Sequence, residues 1–389
     1  MWKPGPAYPA TAAALPPASL FRNTPDTHSR RRPCGKRLAM SALSVISVIT
    51  ETTVLTMSQK PFPLAPKIVI AGGSGFLGRF LARAAVARGY EVVVLARGGG
   101  GVVGDGGVRV VEWDGRTRGA WVRELEGAVA VVNLAGKNVN CRYGKAELAE
   151  IDRSRVDSTR VVGDAIHGCL VPPRVWIQAG TLAIHGDAGD RWCDEGAPLG
   201  EGVPVRTARK WEQAFAHSPT PRTRRVLMRM SFVLGRDEGA LGMMARVTRA
   251  FLGGAVGSGR QFISWIHVTD MTRIFLRAIE DETMSGVYAA TSPDPVRNEV
   301  FMGALRQVLG RPWVPRTPAW VVRLGCWLLG TEPVLALTGR RGDPKRLEEA
   351  GFTFRFPTVH EALADLYPPV ARREGAASRE AVAMMAKAR

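Results

Sequence analysis

Three glycines, Gly72, Gly75 and Gly78, stand between an apolar run, "KIVIA", and a segment with helical spacing. That arrangement suits the binding of an anion. The first glycine permits a tight turn, the second lets the backbone approach a diphosphate, and the third lets helix and strand pack closely. Amides at the start of the helix then face the anion, and the helix dipole favours negative charge there. A second apolar run, "EVVVLA", ends on Arg97, nineteen residues beyond Gly78. An acidic side chain at about this distance would bind the ribose hydroxyls of NAD. A carboxylate repels a 2′-phosphate, whereas a guanidinium binds one through a charge-assisted fork. The two features together predict a dinucleotide site for NADP(H), against the plainer reading of a glycine turn and a solvated arginine.

The elements that must position these groups follow a regular alternation. The runs "KIVIAG", "EVVVLAR", "VRVVEW", "AVAVVNLAG", "RVWIQAG" and "RRVLMRMSFVLG" are short and predominantly apolar, as strands buried on both faces are. Helical spacing over 76–88, 145–168 and 205–217 separates several of them. The pattern specifies an α/β fold, a doubly wound parallel sheet with helices on both faces. We expect a Rossmann domain over 66–235, substrate-side segments over 236–310, and a small C-terminal α/β domain over 311–368. That last part should hold helices near 319–329 and 358–366. The run "GGGGVVGDGG" at 98–107 reads as a loop.

Residues 1–65, rich in Pro, Ala, Ser and Arg, are expected to form an unpacked extension, and 369–389 a flexible tail. The basic-then-apolar stretch at 30–50 imitates an export signal but lacks a small-residue cleavage site.

The chain has 389 residues, enough for one large domain with a smaller appendage, and its 46% apolar and 23% charged content is ordinary. The net charge of +18 is not, but residues 1–60 supply +6 of it and no helix concentrates the remainder. A solvated basic surface is therefore expected, with no specific nucleic-acid partner. Cys34, Cys141, Cys169, Cys193 and Cys326 are scattered and include no C-x-x-C pair, which points to a reducing, cytoplasmic setting and away from zinc or disulfides. The six histidines show no metal-ligand spacing, and no run is long enough to span a membrane. No membrane partner is expected, and the oligomeric state stays open.

"GGSGFLG" with "NLAG" resembles the extended short-chain dehydrogenase/reductases, the NAD-dependent epimerase/dehydratase group. "WDG", "NLAGKNVNCRYG", "IDRSRVDSTRVV", "KWEQAF", "RMSFVLGRDEGAL", "GGAVGSGRQFISWIHVTDM" and "GDPKRLEEAGFTF" narrow the resemblance to the subfamily labelled epimerase family protein, which ends in a domain of unknown function. The likeness spans roughly residues 67–366. It implies that Gly72, Gly75, Phe76, Leu77 and Gly78 hold the pyrophosphate, that Asp114 approaches the adenine, and that Leu134, Ala135 and Gly136 line the ribose. It places Thr181 at the nicotinamide, and Arg142, Ser154, Arg155, Trp265 and His267 along a substrate cleft.

One departure concerns proton transfer. Standard members of the superfamily use Tyr-x-x-x-Lys, in which the lysine lowers the phenol's pKa. Here the residues four beyond the five tyrosines are Ala12, Val94, Glu147, Ser292 and Ala371, so the pair is absent. That leaves an oxidoreductase or epimerase-like enzyme on a small polar substrate with another proton route, or a non-catalytic NADPH sensor. Thr181 is a poor acid and suits orientation. If the strand through Thr181 continues, His185 points the same way and could move a proton; a structural histidine in a turn is the alternative. Lys210, with Arg206 four residues earlier, is either the remnant of the dyad or part of a solvated helix face. For Trp265 and His267, lining of the cleft and packing in a core both stand open.

Overall fold

A computed structural model describes residues 65–98, 101–102 and 107–368. The expected extension at 1–65, save its last residue, and the expected tail at 369–389 lie outside them. Seven parallel strands build the central sheet: β1 (Lys67–Ala71), β2 (Glu91–Ala96), β3 (Val108–Glu112), β4 (Ala130–Asn133), β5 (Val175–Thr181), β6 (Arg224–Met230) and β7 (Gly286–Ala290). Their spatial order is β7-β6-β5-β4-β1-β2-β3. Within the run expected as a loop at 98–107, Gly101–Val102 adds a short antiparallel strand beside β3.

Both faces of the inner strands are apolar because both are covered; β3, expected to be buried on both faces, instead lies at the edge of the parallel set with Arg109 and Glu112 exposed. Ile68, Ile70, Val92 and Val94 point to one side, where they meet α1 (Phe76–Val86) through Leu81 and Ala85. Val69, Val93 and Val131 point to the other, against α2 (Lys145–His167) through Val162 and Ile166, and against Phe215 of α3 (Val203–Ala216). Alternation along each strand sends neighbouring side chains to opposite layers, so two cores require continuous apolar runs.

The sheet continues past the boundary expected near 235. After α4 (Gly239–Arg249), helix α5 (Val268–Glu280) covers the α1 face with Ile274 and Phe275, and β7 then pairs with β6, Tyr288 opposite Met228. "GVYAA" is short and opens on a glycine, so it lacks the long apolar run that marks the other strands. The later helices are α6 (Asn298–Val308), α7 (Ala319–Leu329), a single turn α8 (Val334–Leu337), α9 (Lys345–Glu349) and α10 (Val359–Leu366). They return onto the earlier chain. Val359 and Leu363 share a third core with Leu234, Trp265, Phe301 and Leu305, while Leu347 and Phe352 join the α1–α5 layer.

A buried carboxylate fastens this return. Asp270, in the first turn of α5, accepts the Arg355 N–H at 2.9 Å, the Phe356 N–H at 2.9 Å and Arg273 Nη1 at 2.7 Å. Removing it leaves the Arg355 and Phe356 amides without this acceptor and Arg273 without its carboxylate. Asp270→Ala should therefore lower stability by roughly 3–5 kcal/mol, read from the urea unfolding midpoint, with Asp270→Asn intermediate.

Candidate functional site

The strand order reverses between β1 and β4, so the chain leaves these neighbours in opposite directions and opens a crevice at their carboxyl ends. Gly72 makes the turn out of β1. Its φ of +74° lies in the left-handed region, and a Cβ there would sit 2.9 Å from the Ala135 backbone. Its N–H donates to Leu95 O at 2.9 Å, which keeps the turn level with the end of β2. A Cβ on Gly78 would lie 2.5 Å from Gly73 Cα, so that glycine lets α1 press against the turn.

Gly75 differs. It caps α1 with an extended backbone and no side-chain bond, and a Cβ on it would meet only Gly72 O, at 3.4 Å. Space is therefore left directly over the helix start. The amides of Phe76, Leu77 and Gly78 belong to a first turn that has no intrahelical acceptors for them, and that turn carries no acidic residue. Such a cradle fits a diphosphate. Phe76 itself faces sideways, against Gly235, where a Cβ would stand 2.3 Å from its ring. Leu77 packs towards the α1–α5 core.

Arg79 was not anticipated. Its Nη1 donates to Ser74 O at 3.1 Å and its Nη2 pairs with Glu238 at 2.7 Å, clamping the turn to the chain beyond β6. Its interval of one turn from Gly75 carries no signal by itself.

Arg97 is exposed just past β2 and pairs with no carboxylate among the described residues. With Gly98, Glu112, Trp113, Asp114 and Arg116 it borders an open recess of about 410 Å³. Trp113 is buried and edge-on to Trp121, which makes a rigid wall. Arg116 is tied to Glu150 at 2.9 Å, leaving Arg97 as the cation without a partner. The Asp114 carboxylate accepts the amides of Arg116 and Thr117 and the Thr117 hydroxyl at 2.6 Å, bonds that hold its pKa down at about 2. It is exposed and borders the recess with its carboxylate held by its own turn. A larger recess, about 480 Å³, lies between α2 and α3 near His217 and Pro219, towards the opposite edge of the sheet.

At the end of β4, Asn133 is fully buried. Its Nδ2 donates to Gln178 Oε1 at 3.0 Å and its Oδ1 accepts the Ala135 N–H at 3.1 Å, which directs Leu134, Ala135 and Gly136 along the crevice. Arg155 of α2 lies over Gly136: a Cβ there would be 3.3 Å from the guanidinium carbon. Its Nη1 donates to Lys137 O at 3.0 Å and Ile151 O at 3.2 Å, and the group sits 5.1 Å from the Trp211 ring. Burial pushes its pKa below the ordinary value, and no carboxylate pairs with it directly among the described residues. Ser154 Oγ holds the same loop by accepting the Lys137 N–H. Arg142 stacks 5.4 Å from the Trp327 ring and donates to the Trp327 carbonyl, while the Tyr143 N–H donates to Glu332 at 2.6 Å. The loop after β4 is thus braced by α7 and the residues following it.

Thr181 ends β5 on the crevice side. Its Oγ1 accepts the Ala183 N–H at 3.1 Å, and that bond turns the chain into a 3-10 helix, Leu182–His185. The strand does not continue, so His185 does not share Thr181's aspect and takes the alternative place, a histidine in a turn. It is fully buried, its Nδ1 is 3.1 Å from Pro198 O, and its Nε2 has no partner. Lys210 pairs closely with Asp152 of α2, and Thr207 Oγ1 donates to the same carboxylate at 2.6 Å, which turns Lys210 towards α2.

Trp265 and His267 resolve to core packing. Trp265 is fully buried and its Nε1 donates to Asp294 O at 2.8 Å. His267 caps α5 by accepting the Thr269 N–H at Nδ1, lies 4.0 Å from the Phe356 ring, and holds its Nε2 3.3 Å from Asp365. Among the described residues no group of acidic, His and Cys side chains could hold a metal.

The pattern of the NAD dependent epimerase/dehydratase family matches residues 68–289, and that of a domain of unknown function, DUF1731, matches 317–366. The chain belongs to the NAD dependent epimerase/dehydratase family. Epimerase family protein SDR39U1 of Bos taurus is 33% identical over 306 residues, covering 77% of this chain and 99% of the relative. The chloroplastic SDR39U1 homologue of Arabidopsis thaliana is 32% identical over 319 residues, covering 80% and 88%. The crystal structure of human SDR39U1 (isoform 2) with NADPH superimposes with a TM-score of 0.70 at 30% identity, over 78% of this chain and all of that one. The epimerase pattern ends within β7, in keeping with a sheet that closes there.

Burial lowers the pKa of His185, so the folded protein favours the neutral ring. The resulting stability is complete above the unfolded value of about 6.5 and is lost as pH falls through the lower folded value. His185→Gln should flatten the fall in unfolding free energy below about pH 6.5 without altering cofactor affinity at neutral pH. An unchanged pH profile would contradict this placement.

Proposed function

We propose that the chain is an NADP(H)-dependent oxidoreductase or epimerase-like enzyme of the cytoplasm, acting on a small polar substrate without the Tyr-x-x-x-Lys dyad. The observation that carries this reading is the open, uncapped start of α1 set beside a recess whose one cation without a partner is Arg97. The solved human relative, described with NADPH, supports the cofactor choice.

In this reading the amides of Phe76, Leu77 and Gly78 hold the diphosphate, Arg97 takes the 2′-phosphate, and Leu134 to Gly136 bound the ribose. When bound, the cofactor supplies or accepts hydride at the nicotinamide. The protein supplies orientation and excludes water. Thr181 Oγ1 accepts from Ala183, so its own proton is free to bond a substrate oxygen and fix its position. Arg155, short of anionic partners, and Arg142 at the mouth of the crevice attract a polar substrate. The enclosure of His185 and the pairing of Lys210 with Asp152 take both side chains out of the proton route.

Fluorescence titration should show NADPH binding tighter than NADH. Arg97→Glu should weaken NADPH by about ten- to a hundredfold, the worth of one charge-assisted contact. Equal affinity for the two cofactors in the unmodified protein would refute the arginine assignment. A metabolite screen read at the absorbance of the reduced cofactor separates catalysis from sensing, since a sensor binds NADPH and turns nothing over.

A further inference from the structure

Helix α7 turns an apolar face to solvent. Trp320, Leu324, Trp327 and Leu328 follow the i, i+4, i+7, i+8 spacing of one helix face, and all are exposed. The segment that leads into the helix adds Trp313. Phe251 and Leu252 lie close to that segment, because Arg311 stacks 4.7 Å from the Phe251 ring and Thr317 bonds both Ala255 and Gly257. Exposure runs from 50% for Leu324 to 77% for Trp313. Exposed apolar side chains gathered on one helix face and the segment leading into it mark an interaction site.

Charge identifies the partner. The two segments that supply these side chains, 239–269 and 311–331, contain six arginines and no aspartate or glutamate. Arg249 is neutralised by Asp237 and Arg316 by Glu299, while Arg246, Arg260, Arg311 and Arg323 have no carboxylate partner among the described residues. A second copy docked through this face about a two-fold axis would set these cations against their own images. An anionic bilayer offers complementary charge instead, with room for tryptophan at its polar boundary and for leucine just below it. The expectation of no membrane partner rested on the lack of a spanning segment, and among the described residues no helix is long and apolar enough to cross a bilayer. Docking on the surface needs none.

We propose that α7, with Trp313 and the Phe251–Leu252 corner, docks peripherally on an anionic lipid surface. Because Arg142 rests on Trp327, docking brings the mouth of the crevice to the bilayer.

Cosedimentation of the full chain with phosphatidylcholine vesicles, and with vesicles of equal parts phosphatidylcholine and phosphatidylglycerol, tests this. Binding should be confined to the phosphatidylglycerol vesicles and weaken with salt. The combined Trp313→Ser, Trp320→Ser and Leu324→Ser variant should bind about a hundredfold more weakly, while its NADPH affinity stays that of the unmodified chain. Should that variant fold poorly, Arg246→Glu with Arg323→Glu gives an independent reading, since it should abolish the preference for phosphatidylglycerol. The proposal is overturned if the unmodified protein ignores anionic vesicles. It is equally overturned if the serine variant binds them undiminished, which would assign binding to another part of the chain such as the basic residues 1–60. A dimer in sedimentation velocity that the serine substitutions dissociate, without any lipid binding, would make the face a contact between copies.

Discussion

The close approach of Gly72 to the backbone at Ala135 is the constraint on which the rest of the structure depends. A Cβ at 72 would stand 2.9 Å from the Ala135 backbone, so the turn out of β1 and the chain leaving β4 would be wedged apart. Because the turn is tight, α1 begins directly above the sheet and its unpaired amides face the crevice. Because Gly78 lets the helix press on Gly73, that start is held in place and not merely pointed. Each surrounding device serves the same end. Asn133 aims the chain from β4, Arg79 clamps the turn to Glu238, and Phe76 locks against Gly235.

Much of this was legible in the sequence, for a physical reason. Strands covered on both faces must be largely apolar, so six of the seven parallel strands show as apolar-rich runs, although β3 carries the exposed Arg109 and β6 carries Arg229, paired with Glu212. The seventh, Gly286–Ala290, is short and begins with a glycine, and its membership depends on pairing with β6, sixty residues earlier, which no local pattern reports. The glycine spacing is equally local, since turn, approach and packing all occur within seven residues. Arg97 was visible because distance along a βαβ unit translates into position at a strand end.

Side chains whose roles depend on distant partners were not legible. Trp265 and His267 are explained by Asp294, Thr269 and Asp365, and a pattern of residue types cannot distinguish a ring that lines a cleft from one that caps a helix. His185 hinged on a single bond. Had Thr181 Oγ1 not accepted the Ala183 amide, the strand could have run on and shown the imidazole to the crevice. Asp114 borders the recess, and its carboxylate is engaged by its own turn, a local bonding that the residue type alone does not report. The C-terminal segment likewise behaves as a brace, through Asp270 on one side and through Trp327 and Glu332 on the loop after β4 on the other.

Gly75 offers the most direct test, because there the demands of the fold and of the ligand diverge. Its backbone is extended and its Cβ direction is open, so an aspartate fits and is among the best residues to cap a helix. That carboxylate would occupy and repel the place assigned to the diphosphate. The account predicts that Gly75→Asp leaves the thermal unfolding of the ligand-free protein unchanged or raised, while calorimetric titration shows NADPH affinity reduced by more than about a hundredfold. A well-folded Gly75→Asp protein that binds NADPH as the unmodified chain does would contradict it.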